Sequence, residues 1–448
     1  MGKLKIESKM KTIKIIGAGL AGCEAALQFA DNNWQVELYE MRPGKQTEAH
    51  QTGDFAEVVC SNSLKSKLIT TASGLLKAEM KFLGCKLLAI AEECSVPAGN
   101  ALAVDRDKFA REVTKIIQNN PNINVHREEV TSLGDELTIV ATGPLTSQGL
   151  TGELIKIIGD EHLYFFDAIA PIITAESVDE SIVYRKTRYD KGEADYLNCP
   201  FTKDEYYAFV DALNEAEKHE AHEFESTFFE NINFSFYENC TPIEELARRG
   251  KETLRYGVMK PVGLDDPRTG KWPYAVIQLR TENNDRTSYN LVGCQTMLKY
   301  GEQKRIFRLI PGMQKVEFVR FGSIHRNTYL NGPHILNDNM SLKKRSNVFI
   351  AGQLAGVEGY AESILAGLLV AQVITGELQN ANDMLPLTTI SGQLWRHLVS
   401  PTKNFQPMNA NFGLLPALEK HIRDKKLRKQ MYSERAIKDL KSNLENNN

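Results

Sequence analysis

The chain has 448 residues, 42% hydrophobic and 25% charged, an ordinary globular composition too long for one small core and suited to two domains. No run approaches the ~20 apolar residues that cross a bilayer, and the N-terminus lacks the apolar core of a signal peptide, so no membrane association and a cytoplasmic location are expected. Net charge is −3 but uneven: Lys420–Lys441 holds nine Lys/Arg against three Asp/Glu, whereas Lys203–Glu230 holds two Lys against nine Asp/Glu. The first stretch suits phosphates and the second repels them.

Thr12–Ile16 reads as an apolar strand running into Gly17-Ala18-Gly19-Leu20-Ala21-Gly22, and Cys23–Ala30 continues with helical spacing. Gln35–Tyr39 alternates as a second strand and ends at Glu40, eighteen residues after the third glycine. In such a strand–turn–helix–strand unit Gly17 permits the tight turn, Gly19 admits a pyrophosphate to the backbone, and Gly22 lets helix and strand pack closely. Glu40 would then accept ribose hydroxyls. A glycine fingerprint alone is weak, but here the strand, the helix and the acid all accompany it. A nicotinamide or a flavin suits it equally.

Two later segments favour flavin. Leu137–Gly143 is a strand ending in Ala-Thr-Gly, and Asn347–Gln353 is another buried strand ending in Gly352, followed by Gly356, Gly359 and an apolar helix over Ala361–Ile374. The expected fold is α/β: a Rossmann-like FAD-binding domain (1–150 and 340–448) split by a long α/β insertion (151–339). Within the insertion, Ala275–Leu279 reads as a strand and Glu205–Phe229 as an acidic helix. His219 and His222 stand three apart there, not four as a zincin needs, and read as a solvated face.

Seven cysteines (23, 60, 85, 94, 199, 240, 294) include no C-x-x-C pair, so thiols are expected rather than disulfides or a zinc site, and no metal site is expected. Cys60, in Val58-Val-Cys-Ser-Asn-Ser-Leu64, and Cys240, in Tyr237-Glu-Asn-Cys-Thr-Pro242, sit among polar residues and turn formers, where hydrogen bonds stabilise a thiolate. Cys85, Cys94 and Cys199 read as structural. His325, in Gly322-Ser-Ile-His-Arg-Asn327, reads as a loop residue at a site. In the basic tail the spacing puts Ile422, Leu427 and Met431 on an inward face, and Phe405, Phe412 and Tyr432 offer stacking surfaces for bases.

Together these motifs resemble the folate- and FAD-dependent tRNA (uracil-5-)-methyltransferases, smaller relatives of the flavoprotein that helps modify the tRNA wobble uridine. The likeness runs through Tyr39-Glu-Met-Arg-Pro43, Pro97–Arg106, Ala141–Ser147, Phe166–Pro171, Cys240–Gly250, Met259–Leu264, His325-Arg-Asn327 and Asn411–Leu415. It implies FAD, 5,10-methylenetetrahydrofolate as carbon donor, NADPH or NADH as reductant, and an RNA uridine methylated at C5. The cofactor residues it implies are Gly17–Gly22, Glu40, Arg42, Gly143, Gly352, Gln353 and Gly359. Cys240 falls at the cysteine that adds to C6, Cys60 at its partner base, and His325 and Asn327 beside the folate. The expected target is the T-loop uridine of tRNA, on which most members act; because the motifs serve the chemistry rather than target choice, a 23S ribosomal RNA uridine is the alternative. Two other classes compete: a flavin oxidoreductase indifferent to RNA, and a non-catalytic RNA-binding protein with FAD as a prop. The oligomeric state is left open.

Overall fold

A computed structural model of the chain describes residues 11–446, except 48, 160–161, 191–194, 219–240, 284, 379–384, 403–404 and 421. Cys240, His219 and His222 therefore lie outside the described residues.

Strand β1 (Thr12–Ile16), helix α1 (Leu20–Asp31) and strand β2 (Gln35–Tyr39) form the expected opening unit. Helix α2 (Arg106–Gln118) starts at Asp105, whose carboxylate caps the Lys108 NH, and leads to β3 (Ile123–His126) and β4 (Thr138–Val140). The central sheet runs β3, β2, β1, β4, then β9 (Arg345–Ile350), all parallel, with Ser341–Leu342 antiparallel on its edge. Ile13, Ile15, Val36, Leu38, Ile139, Val348 and Ile350 are all buried, as a sheet covered on both faces requires. Helix α3 (Tyr360–Thr375) lies against α1, close enough that a Cβ on Gly367 would stand 2.1 Å from the Ala21 carbonyl oxygen.

The middle of the chain builds a second layer. An antiparallel sheet runs Tyr184–Arg185, β6 (Tyr196–Phe201), β7 (Ala275–Thr281), Ser288–Leu291, Ile172–Thr174 and Phe318–Arg320. It carries its own core, including Ile173, Phe209, Ile277 and Phe307, with the acidic helix Lys203–Glu215 packed on it. The first core draws on residues on both sides of this layer, from Ile13 to Ile158 and from Tyr329 to Leu440. Between the two layers runs a long two-stranded ribbon, β5 (His162–Ile169) against β8 (Ser323–Leu330).

Three expectations fail here. His325 is not in a loop: it sits in β8, opposite Asp167 of β5. Its polar neighbours disguise a strand whose partner lies far earlier in the chain. The basic tail forms helix α4 (Lys425–Asn446), but its inward residues are Ser433, Ala436 and Leu440, whereas Leu427 and Met431 are exposed. The helix meets the body only from its third turn onward. Phe405 is also buried, stacked beside His397, and is closed to bases.

None of the six described cysteines forms a disulfide, and Cys23, Cys85, Cys94, Cys199 and Cys294 are buried. Among the described residues no helix is long and apolar enough to cross a membrane, and no cluster of side chains could hold a metal ion.

Candidate active site

The fingerprint loop takes the conformation its glycines predict. Gly17 has φ +98°, and a Cβ there would lie 2.7 Å from the Ala141 carbonyl oxygen; one on Gly22 would lie 1.9 Å from the Gly17 carbonyl oxygen. Gly19 differs, since a Cβ there would meet nothing within 4 Å. Helix α1 begins at this open position with Gly19 as N-cap and no side-chain cap, so its first NH groups are left for an anion. These features fit a dinucleotide diphosphate, with Ala18, Leu20 and Ala21 completing the turn. A cleft adjoins it, lined among others by Gly17, Gly19, Glu40, Arg42, Glu129 and Thr142.

Glu40 is more committed than its motif suggests. Oε2 accepts the Ala18 NH at 3.0 Å, and Oε1 accepts the Arg42 NH and Nε at 3.0 Å each. Burial works against the ionised carboxyl, but the Arg42 guanidinium and these NH groups outweigh it and hold Glu40 below the usual carboxylate range. Arg42 also reaches Glu57 at 3.1 Å. This buried triad ties β2 to the segment before Cys60. A ribose hydroxyl at Glu40 must share oxygens already used by the protein.

Gly352 has φ +75°, and its hypothetical Cβ lies 2.8 Å from that of Ala21, so the late strand–glycine segment meets the start of α1. Gln353 donates to Glu358 at 2.9 Å. Gly359, with φ +123°, caps α3, and Gly143, with φ +66°, follows β4 in open space. All the expected cofactor residues thus cluster around one end of the central sheet, outside the carboxyl ends of its parallel strands.

Cys60 lies just beyond. The Ala56 NH donates to the Ala18 carbonyl at 2.9 Å, which lays the preceding turn on the fingerprint loop. The loop Val58–Asn62 is then held from every side. Arg106 Nη1 donates to the Val58 carbonyl, and Arg320 Nη1 to that of Val59 at 2.9 Å. The Cys60 and Ser61 NH groups both donate to the Tyr360 hydroxyl, at 2.9 and 3.2 Å. Arg280 Nε donates to Asn62 Oδ1 at 2.8 Å and its Nη2 to Ser61 Oγ at 2.9 Å. Asn62 Nδ2 in turn donates to the Val104 and Thr281 carbonyls, each at 3.0 Å. Cys60 is half-buried at the seam between the two layers.

Electrostatics at the seam is positive. Burial opposes the charge on Arg106, but Glu282, with Nε···Oε2 at 3.0 Å, keeps it protonated. Arg320 is pushed down by burial and by Arg106, and the fields of both arginines reach Cys60. Burial raises the Tyr360 phenol, with Cys60 adding to the effect and Arg106 opposing it.

A family model described as glucose inhibited division protein A matches residues 12–382. The methylenetetrahydrofolate–tRNA-(uracil-5-)-methyltransferase TrmFO of Koribacter versatilis (strain Ellin345) is 53% identical over 439 residues, covering 96% of this chain and 97% of that protein. The chain belongs to the TrmFO family. The TrmFO of Bacillus subtilis (strain 168) is 50% identical over 437 residues, covering 96% of this chain and 98% of its own. Among solved structures, Aquifex aeolicus GidA in its form I crystal aligns with TM-score 0.66 and 15% identity over 97% of this chain and 76% of that one, a likeness of fold.

In this TrmFO family member the residues missed by sequence reasoning are Arg280, Arg320, Glu282 and Tyr360. No local pattern marks them, because each acts through a loop hundreds of residues away or in another layer. Arg106 stood in a family motif without an assigned role. Cys240 lies outside the described residues, so no distance joins it to Cys60. His325 and Asn327 are placed on β8 by their backbone, and their side chains are likewise outside what is described.

Proposed function

We propose that this protein is an FAD-dependent methyltransferase that forms 5-methyluridine in tRNA, with 5,10-methylenetetrahydrofolate as carbon donor and NADPH or NADH as reductant. The observation that carries the reading is a cysteine loop pinned by three arginines and a tyrosine beside a dinucleotide site, in a chain about half identical to TrmFO proteins over nearly their whole length. The tRNA target follows those relatives, which are named for it.

Bound FAD supplies the redox chemistry, passing electrons from the nicotinamide to the one-carbon unit. The protein's own residues handle the base. C5 of uracil is a poor nucleophile until a thiolate adds at C6, and Cys240 is assigned that role. The C5 carbanion so generated attacks the electrophilic methylene derived from folate, forming the C5–CH2 bond. Cys60 then removes the C5 proton as the methylene's bond to nitrogen breaks, a hydride equivalent originating from the nicotinamide converts the methylene to methyl, and loss of the Cys240 thiolate from C6 restores the ring. A base must be a thiolate before it can take a proton, and the Arg106 and Arg320 guanidiniums bind the Val58 and Val59 carbonyls of the loop that presents Cys60. His325 and Asn327 on β8 are the proposed folate contacts.

The test is to incubate purified protein with methylenetetrahydrofolate, NADPH and either unmodified tRNA or 23S ribosomal RNA, then digest the RNA and quantify nucleosides by mass spectrometry. The reading expects 5-methyluridine in tRNA. Product in ribosomal RNA alone moves the target, and none in either, with NADPH turnover indifferent to RNA, leaves a plain flavin oxidoreductase.

A further inference from the structure

We infer that the first half of helix α4, with the flanking Lys67 and Phe412, is the surface on which the substrate tRNA lays its phosphate backbone. The inference rests on the functional reading above and deepens it.

Helix α4 docks through Ser433, Ala436 and Leu440, and the Ser433 hydroxyl donates to the Ile69 carbonyl at 2.6 Å. Its first two turns carry Lys425, Lys426, Arg428 and Lys429, three of them exposed and Arg428 half-buried. Among the described residues none of these four side chains forms an ion pair or hydrogen bond, and the first turn holds no acid. Lys425 and Lys429 stand four apart, and Lys425–Arg428 and Lys426–Lys429 three apart, so like charges face one another. They also crowd the end of the helix where the backbone dipole is already positive. Asp424, whose carboxylate accepts the Leu427 NH at 2.7 Å, offsets part of this repulsion and leaves the four cations in excess. A polyanion laid across them would offset the rest.

The patch is joined to Cys60 on two sides. Ile69 lies nine positions after Cys60, a span of ~30 Å at most, and that segment carries the exposed Lys67. On the other side Tyr360 holds the Cys60 NH, Glu362 accepts the Ala410 NH at 3.0 Å, and Phe412 stacks on Tyr432 of α4 with ring centroids 5.8 Å apart. Both rings are half-buried, and the Arg435 guanidinium lies over Tyr432, 5.3 Å from its centroid, so Phe412 is the ring offered to an unpaired base. A membrane surface is disfavoured, because only Leu427 and Met431 are exposed apolar residues on α4 and they form no insertable stripe.

The experiment uses the full-length, FAD-loaded protein with Lys425, Lys426, Arg428 and Lys429 all changed to Gln, which keeps helix propensity. With an unmodified tRNA transcript, KM should rise about 10- to 100-fold while kcat at saturation stays within about two-fold. The slope of log Kd against log salt should fall by roughly 3, at ~0.7–0.9 per lost phosphate contact. Lys426→Gln alone should move KM in the same direction by less, which keeps the test open if the fourfold variant folds poorly by circular dichroism. The exposed lysines of a control, Lys115→Gln with Lys156→Gln, should leave both quantities unchanged. The inference is overturned if the fourfold variant keeps the parent KM and salt slope, if the control weakens binding equally, or if only binding to phosphatidylglycerol vesicles is lost. If the parent protein makes no 5-methyluridine, the functional reading has failed; if it does and the variant matches it, this inference alone has.

Discussion

Arg106→Ala is the substitution whose effect the structure fixes most closely. Arg106 opens α2 in the nucleotide-binding layer, whereas Glu282 follows β7 in the other layer, and their side chains are only 13% and 6% exposed. Glu282 Oε2 lies 3.0 Å from Nε and 2.9 Å from Nη2, and Glu282 Oε1 is buried with no hydrogen-bond partner among the described residues. Removing the guanidinium strands a carboxylate that has no second partner to turn to. Breaking a buried pair in this way costs about 3–5 kcal/mol. The Val58 carbonyl loses a charged donor as well, but the same side chain supplies both contacts, so the figures do not add. Glu282→Gln leaves Arg106 on Val58 and should cost less. The double variant should cost less than the sum of the single ones by on the order of 1–3 kcal/mol. Urea unfolding should be followed by far-UV circular dichroism and by flavin absorbance separately, since two layers need not unfold as one. A cost for Arg106→Ala below about 1 kcal/mol, the range of an exposed pair, would refute the reasoning; so would strict additivity.

Gly22→Ala should yield protein without FAD absorbance, because the new Cβ would stand 1.9 Å from the Gly17 carbonyl oxygen; Gly19→Ala should melt at the parent temperature yet bind FAD at least ~10-fold more weakly, since only the diphosphate space receives the methyl. Equal behaviour of the two by thermal melt and flavin titration would contradict the assignment. Tyr360→Phe strips the acceptor from two NH groups and should cost about 1–3 kcal/mol, with kcat falling more than the KM for folate rises. Glu79 is fully buried, and desolvation lifts its carboxyl from 4.5 to about 7, although the Ile390 and Ser391 NH groups, at 2.9 and 2.7 Å, pull it down. The folded state therefore holds this proton more tightly than the unfolded one. Its stabilising contribution is complete below about pH 4.5 and disappears as pH rises through about 7, a loss on the order of 3 kcal/mol. Glu79→Gln should flatten that part of the stability–pH curve, and parallel curves for the two proteins would count against it.

Local pattern made the nucleotide-binding unit readable. β1, α1 and β2 fall within a few residues of their expected limits because apolar period and glycine turns are set by adjacent residues. The late strand and α3 were legible for the same reason. β8 was not, since Ser-Ile-His-Arg-Asn becomes a strand only against β5, and nothing local announces that pairing. The inward face of α4 was misread because period alone does not tell where a helix leaves the body: the repeat at Leu427 and Met431 is real but unopposed, and burial starts at Ser433. Around Cys60 the polar neighbours Ser61 and Asn62 were visible, but their Arg280 partner comes from β7 in the other layer.

The sharpest single measurement is the 5-methyluridine content of one tRNA preparation after incubation with the parent protein, Cys60→Ala or Cys240→Ala, each carrying equal FAD by absorbance. The account predicts methylated uridine with the parent and none above background with either variant. Parent-level product from either variant would show that the two thiols do not share the chemistry assigned to them.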